Sequence, residues 1–333
     1  MRALVTGGGG FLGGAVVEAL LDRGDEVVSI ARGDYPALAA RGVSVRRGDL
    51  ADPSAAGVLD DAVAGCDVVF HVAAKAGIWG PAAEYERSNV DATRAVLAAC
   101  RRAGVGRLVF TSTPSVVHAG GDIEGADESL PYAEHTTPYP RTKAVAERIV
   151  LAADGADLAT VALRPHLVWG PGDTQLVPRI VARARAGRLR FPGDGRALID
   201  STYVADAAGA HLAAADVLRP GAACAGRAYF ITQGEPRSVM DLVNGILGAA
   251  GLPPETRTVP LEVAEAAGLA AEGLWKLLRR RDDPPMTRFL ARQLATAHWF
   301  DTSAARRDLG WAPARTLDEG LALLATDLRP HAA

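Results

Sequence analysis

Apolar residues in the first half of the chain alternate between two rhythms. Continuous runs of strand length at Ala3–Thr6, Glu26–Ala31, Val43–Arg47, Val68–Val72, Leu108–Ser112 and Thr160–Leu163 are separated by runs of helical spacing at Leu12–Arg23, Val58–Ala64, Arg87–Ala103 and Lys143–Ala153. That alternation predicts βαβ units. Val68–Val72 and Leu108–Ser112 have no polar face, as strands need when helices cover both sides of a sheet. The predicted fold is therefore α/β, a Rossmann-type doubly wound parallel sheet. After Pro165 the rhythm breaks into short elements at Leu176–Ala186, Ala197–Val204, Tyr229–Thr232 and Val239–Ala250 among glycines and prolines, which predicts a smaller, discontinuous C-terminal lobe. Leu261–Leu278 is the most apolar late segment, but Glu262, Glu265 and Glu272 interrupt it, so an amphipathic helix is expected and not a membrane span.

Composition narrows the partners. The 333 residues are 49% hydrophobic with a net charge of −3 and both signs interspersed, so neither nucleic acid nor an acidic membrane surface is expected to bind. The short basic run Arg279–Arg281 reads as a solvated helix C-terminus favoured by the helix dipole. Cys66, Cys100 and Cys224 are odd in number and lack metal-ligand spacing, so they are expected to be reduced and structural, and no metal is predicted. The N-terminus enters a strand directly, with no charged n-region or apolar h-region, so a cytoplasmic protein is expected.

Thr6-Gly7-Gly8-Gly9-Gly10-Phe11-Leu12-Gly13 lies between the first strand and the first helix. Gly7 permits a tight turn, Gly10 lets backbone approach a pyrophosphate, and Gly13 lets the helix pack close to the sheet, while the free amides of the helix start face the phosphates. A dinucleotide site is predicted there, within a lobe of residues 1–165 to which about 203–235 returns; 166–202 and 236–330 would form the substrate lobe. At the end of the second strand Ala31 stands where an acid would hold the ribose diol of NAD, and Arg32 follows. NADP(H) is thus preferred over NAD(H). Asp49 and Leu50 close the third strand, where Asp49 either bonds the adenine amine or caps the next turn.

Tyr139-Pro140-Arg141-Thr142-Lys143 puts a phenol and an ammonium four residues apart on one helical face. The pair is informative because the chain has only three lysines, Lys75, Lys143 and Lys276. The ammonium is expected to favour the phenolate and lower the Tyr139 pKa. Phe110-Thr111-Ser112-Thr113-Pro114-Ser115 ends a buried strand, so its hydroxyls either bond a substrate oxygen or satisfy local backbone.

With these residues in view, the chain resembles the extended short-chain dehydrogenases, in their 3β-hydroxysteroid and sterol dehydrogenase branch. The likeness covers nearly the whole length and includes Thr6–Gly13, His71–Ala74, Asn89-Val90, Tyr139–Lys143, Leu163–Pro165, Ser201–Asp206 and His298–Asp301. Ala73–Gly80 with Thr111–Val116 is similar, more narrowly, to the 2-alkyl-3-oxoalkanoate reductases of bacterial olefin synthesis. The resemblance implies that Tyr139 is the general acid/base, that Lys143 tunes it and holds the nicotinamide ribose, and that Thr113 replaces the usual serine. It places Ala73, Ala74, Lys75, Thr111, Pro165, His166 and Leu167 along the cofactor, and Lys75, Trp79, Thr113, Ser115 and His166 toward a small but bulky hydrophobic substrate such as a 2-alkyl-3-keto acid or a sterol-like compound, reduced at a keto group or oxidised at the 3-hydroxyl. Lys75 is open among a surface lysine, a cofactor contact and a counter-ion for a substrate carboxylate. A homodimer stays open. Rival readings are a nucleotide-sugar epimerase or dehydratase, with Arg196 part of a second pyrophosphate anchor, and a non-catalytic NADP(H)-binding sensor or scaffold.

Overall fold

The computed structural model describes residues 1–329 except Ile78, Thr136 and Arg281. Ile78 of the olefin-branch motif, Arg281 of the basic run and Pro330 of the expected substrate lobe fall outside the described residues. Seven parallel strands form the main sheet, in the order Arg227–Ile231, Ala159–Pro165, Arg107–Thr111, Val68–His71, Arg2–Thr6, Glu26–Ala31, Ser44–Arg47. Chain order reverses at Arg2–Thr6, which pairs Ala3 with Val27 on one side and with Val68 on the other. A doubly wound sheet opens a crevice at that point, outside the carboxyl ends of its strands.

The apolar runs explain the layering. Within the first strand Ala3 and Val5 join a core with Val16, Val17, Leu20 and Ala210, whereas Leu4 points the other way, into a core with Ile30, Val69, Val96 and Phe110. Successive side chains point to opposite faces, so a strand covered on both sides must be apolar throughout. Helix Phe11–Asp22 packs on helix Val204–Val217 through Val16, Val17, Ala208 and Ala214 on one face, and helix Ala92–Ala103 lies on the other. The three cysteines are buried and unpaired.

Two elements depart from the sequence reading. The helix expected from Arg87 is preceded by a turn at Ala82–Tyr85 and runs through a π-helical stretch, Glu86–Asp91, before regular helix begins at Ala92. Ile123–Ala126, within the segment assigned to the first lobe, leaves that lobe altogether. It pairs with His298–Phe300 in a four-stranded sheet completed by Leu198–Ile199 and Arg237–Ser238. A third core, built on Trp169, Phe191, Tyr203, Leu242, Ile246 and Leu317, stands beside that sheet.

Candidate active site

The glycine turn is fixed by sterics. Gly7 has φ +72°, and a Cβ there would lie 3.0 Å from the Ala73 Cα; one on Gly13 would lie 2.2 Å from the Gly7 carbonyl oxygen. Gly10 caps helix Phe11–Asp22 without a side-chain bond, leaving the first-turn amides without intrahelical acceptors. A buried relay holds the turn's flanks together. Thr93 Oγ1 donates to the Asn89 carbonyl (2.6 Å), so it accepts from His71 Nε2 (3.0 Å). His71 Nδ1 must then accept from Thr6 Oγ1 (2.9 Å), which accepts the Ala73 amide (3.1 Å). Burial and the nearby Lys143 bring His71 down to about 3, so the ring is neutral and its tautomer set. This cradle, closed to any larger residue, fits a pyrophosphate at a helix start.

After the second strand Arg32 is exposed, with no side-chain hydrogen bond or ion pair among the described residues. The one acid of its loop, Asp34, is taken by Arg47 at 3.3 Å, and Arg47 Nε also donates to the Arg32 carbonyl at 3.2 Å. Asp49 caps its turn through the Ala51 amide (3.1 Å) and pairs with Arg87, so its carboxylate is engaged within the protein rather than presented to an adenine. Leu50 packs on the second core.

Helix Pro138–Leu151 starts with a proline in its first turn, which puts Tyr139 at the crevice and Lys143 one turn deeper. Tyr139 is half-buried and hydrogen-bonded to Thr113. Thr113 Oγ1 also accepts the Ser115 amide and donates to Ser115 Oγ, both at 3.2 Å. Lys143 is buried, donates to the Thr111 carbonyl at 2.6 Å and sits 4.1 Å over the Phe110 ring. The expected lowering of the phenol is corrected here. Burial raises Tyr139 above 10, and the Thr113 bond only partly opposes it. Burial likewise lowers Lys143 to about 7, against the pull of Glu147, so the ammonium is itself only marginally charged and spends its bond on backbone. The Thr111 hydroxyl donates to His211 Nε2 at 2.7 Å. Ser112 Oγ is buried without a partner among the described residues.

Ala73 and Ala74 follow the fourth strand and lead to Lys75. Its Nζ pairs with Glu84 at 2.8 Å and lies 5.1 Å over Tyr85, so it already has a carboxylate partner; its backbone is clamped by Asn89. Trp79 Nε1 donates to the Arg280 carbonyl at 3.1 Å, joining this loop to the far lobe. Pro165 ends strand Ala159–Pro165; it and His166 are buried and Leu167 takes φ +42°, a left-handed conformation that β-carbons disfavour. His166 Nδ1 donates to the Asp200 carbonyl at 2.7 Å, and its ring packs edge-on to His298 at 4.8 Å; burial holds it well below the usual histidine range.

Sequence reasoning missed several participants. A Cβ on Gly9 would fall 2.1 Å from the Tyr35 ring, so Tyr35 lies directly over the glycine turn. Asn89 bridges the Lys75 loop to Thr142 on helix Pro138–Leu151 at 3.0 Å. Glu147, one turn beyond Lys143, is held by Arg164 (2.6 and 3.0 Å) and Tyr132 (2.7 Å). The i, i+4, i+8 spacing of Tyr139, Lys143 and Glu147 was the available signal for the last.

A phenol, a hydroxyl and a lysine at the carboxyl ends of parallel strands, beside a glycine cradle, can deliver a proton to an oxygen next to a bound dinucleotide. A profile of the 3-beta hydroxysteroid dehydrogenase/isomerase family matches residues 4–262. The chain belongs to that family. Like other 3β-hydroxysteroid dehydrogenase family members it is an NAD(P)-dependent oxidoreductase of the extended short-chain type, acting between alcohol and carbonyl. It is 54% identical to a 2-alkyl-3-oxoalkanoate reductase of Stenotrophomonas maltophilia, over 96% of this chain and 97% of that one. It is 36% identical to a 3 beta-hydroxysteroid dehydrogenase/Delta 5→4-isomerase of Mycobacterium tuberculosis, over 96% and 88%. Among solved structures, MoeE5 in complex with UDP-glucose and NAD superposes with a TM-score of 0.76 at 29% identity, covering 98% of each chain. The crystal structure of gox2253 gives 0.79 at 25%, covering 99% and 98%.

Proposed function

We propose that this protein is an NADP(H)-dependent ketoreductase for a bulky hydrophobic substrate such as a 2-alkyl-3-keto acid, with the far lobe, 166–202 and 236–330, enclosing that substrate. The cofactor would lie on Gly7, Gly10 and Gly13, with Arg32 at the 2′-phosphate and Lys143, Pro165, His166 and Leu167 toward the nicotinamide; when bound it supplies or accepts the hydride. The chain's own contribution is the proton. Tyr139, kept protonated at neutral pH by burial, gives its proton to the carbonyl oxygen as that oxygen gains charge, and Thr113 donates to the same oxygen or to the phenolate left behind. Lys143, charged or neutral near pH 7, responds to the state of the phenol beside it.

The observation that carries the reading is the pairing of Tyr139 with Thr113 at the crevice mouth, one turn from Lys143. Names of relatives favour the keto-acid class, among them a 2-alkyl-3-oxoalkanoate reductase at 54% identity. Tyr139→Phe should lower turnover of a 2-alkyl-3-keto acid by roughly 10²–10⁴ while NADPH fluorescence titration stays unchanged. Turnover within about threefold of the parent would remove Tyr139 from the mechanism. Conversion of UDP-glucose, with no oxidation of NADPH by the keto acid, would replace the reading with epimerase chemistry.

A further inference from the structure

Lys143 sits in surroundings that work against its charge. Its ammonium carries three donors, and among the described residues one of them, to the Thr111 carbonyl, has an acceptor. From the sheet it faces that carbonyl, the Phe110 ring and His71, which is neutral; from its own helix come the Tyr139 phenol and Glu147. Glu147 is the one acid among the described residues that pulls on it. The pull comes from the next turn of the same helix, where side chains four residues apart are neighbours.

The carboxylate is held rigidly from behind. Glu147 has no exposed surface, and Arg164 and Lys143 are each 3% exposed. Arg164 grips Glu147 as a fork, with Nη2 donating to Oε1 at 2.6 Å and Nε to Oε2 at 3.0 Å, and the Tyr132 hydroxyl donates to Oε1 at 2.7 Å. Burial and the carboxylate beside it hold the Tyr132 phenol well above its usual range, so that hydroxyl stays a donor. Arg164 Nη1 is buried with no partner among the described residues, so the pair is not a fully matched one. One carboxylate thus serves two buried cations, Arg164 on strand Ala159–Pro165 and Lys143 on helix Pro138–Leu151. A buried ion pair is often no more stable than apolar side chains of similar volume, so packing by itself gives no reason for charge at this place. A fixed negative charge one turn behind a desolvated ammonium does.

We propose that Glu147, fixed by Arg164 and Tyr132, is a positioning residue that holds Lys143 in its ammonium form beside Tyr139. Glu147 acts through Lys143, and its consequence for turnover rests on the reading of Tyr139 and Lys143 given above. Without the carboxylate, Lys143 releases its proton at a lower pH, and an ammonium that steadies the phenolate is lost sooner as pH rises.

The scarcity of lysine makes the test direct. With Lys75, Lys143 and Lys276 the only lysines, carbon-13 labelling at lysine Cε gives three NMR signals, and Lys143→Met identifies the one that matters. In the parent that signal should titrate at about 7. In Glu147→Gln it should titrate about 1–3 pH units lower, the effect of removing one nearby opposite charge. The kcat for a 2-alkyl-3-keto acid should then fall at least roughly fivefold at pH 7, because the alkaline limb of its pH profile moves with Lys143. E147Q/R164M removes both members of the ion pair and leaves no uncompensated charge between them, so it should show the same lower titration even if the single variant folds poorly. A Lys143 signal that titrates in both variants as it does in the parent overturns the inference, whatever turnover does. A lowered titration with an unmoved kcat profile upholds the hold of Glu147 on Lys143 and counts instead against the functional reading, since the charge of Lys143 would then play no part in the chemistry.

Discussion

Arg32 illustrates how much a side chain's surroundings matter beyond its identity. The loop holds one carboxylate that could have neutralised it, and Arg47 has taken that carboxylate, leaving the Arg32 guanidinium free for an anion. Arg32→Ala should therefore raise the KM for NADPH by roughly 10–100-fold, the scale of one charge-assisted bond, and leave NADH unaffected; equal losses for both cofactors in steady-state kinetics would show a structural role instead. Lys143 makes the opposite point, because burial works against its charge. Its ammonium titrates at about 7 in the fold and at 10.5 ordinarily, so between those values the unfolded chain binds more protons and stability rises with pH. Lys143→Met removes that dependence. Its melting temperature should exceed the parent's most at pH 7 and below, with the gap closing toward pH 10, although turnover is lost. A gap that widens with pH in calorimetry would contradict the assignment. Tyr139 and Lys143 were legible from their spacing, but their protonation was not: it depends on what covers them, and Phe110, Thr111 and Glu147 come from three places in the chain.

At the level of elements, strands were the most readable because a parallel strand buried on both faces has no choice but to be apolar. The π-helical stretch Glu86–Asp91 was unreadable, since it departs from helix spacing for a tertiary reason: it carries Asn89 into position to bond Lys75 twice, at its amide (2.7 Å) and carbonyl (3.1 Å), and Thr142 once. Asn89 is buried, so Asn89→Ala removes three hydrogen bonds at once and leaves the Lys75 amide and carbonyl without these partners. It should cost about 1–3 kcal/mol in urea unfolding and raise KM, because the Lys75 loop and helix Pro138–Leu151 lose their common tie. Full stability in that variant would mean that water replaces the amide. Strand Ile123–Ala126 was missed for a different reason: four residues long, with a glycine and a glutamate, it owes its pairing to a partner near residue 299.

Across the whole molecule, the glycine turn, Thr113, Tyr139 and Lys143 come from the first 165 residues, but the two sheets do not divide the chain there. The small sheet draws its strands from 123–126, 198–199, 237–238 and 298–300, and the main sheet takes its edge strand, Arg227–Ile231, from the midst of those segments. Chain crosses between the lobes several times. Thermal unfolding followed by far-ultraviolet circular dichroism and by tryptophan fluorescence should accordingly give one coincident transition; two separated midpoints would show that the lobes melt independently. The interleaving also limits how such an enzyme can be recombined. A chimera that borrows a relative's C-terminal half at a single crossover would import three strands of the small sheet and leave the fourth, Ile123–Ala126, with its original parent. New specificity is then more readily grafted through the helices that line the lobe than by exchanging the lobe as a cassette.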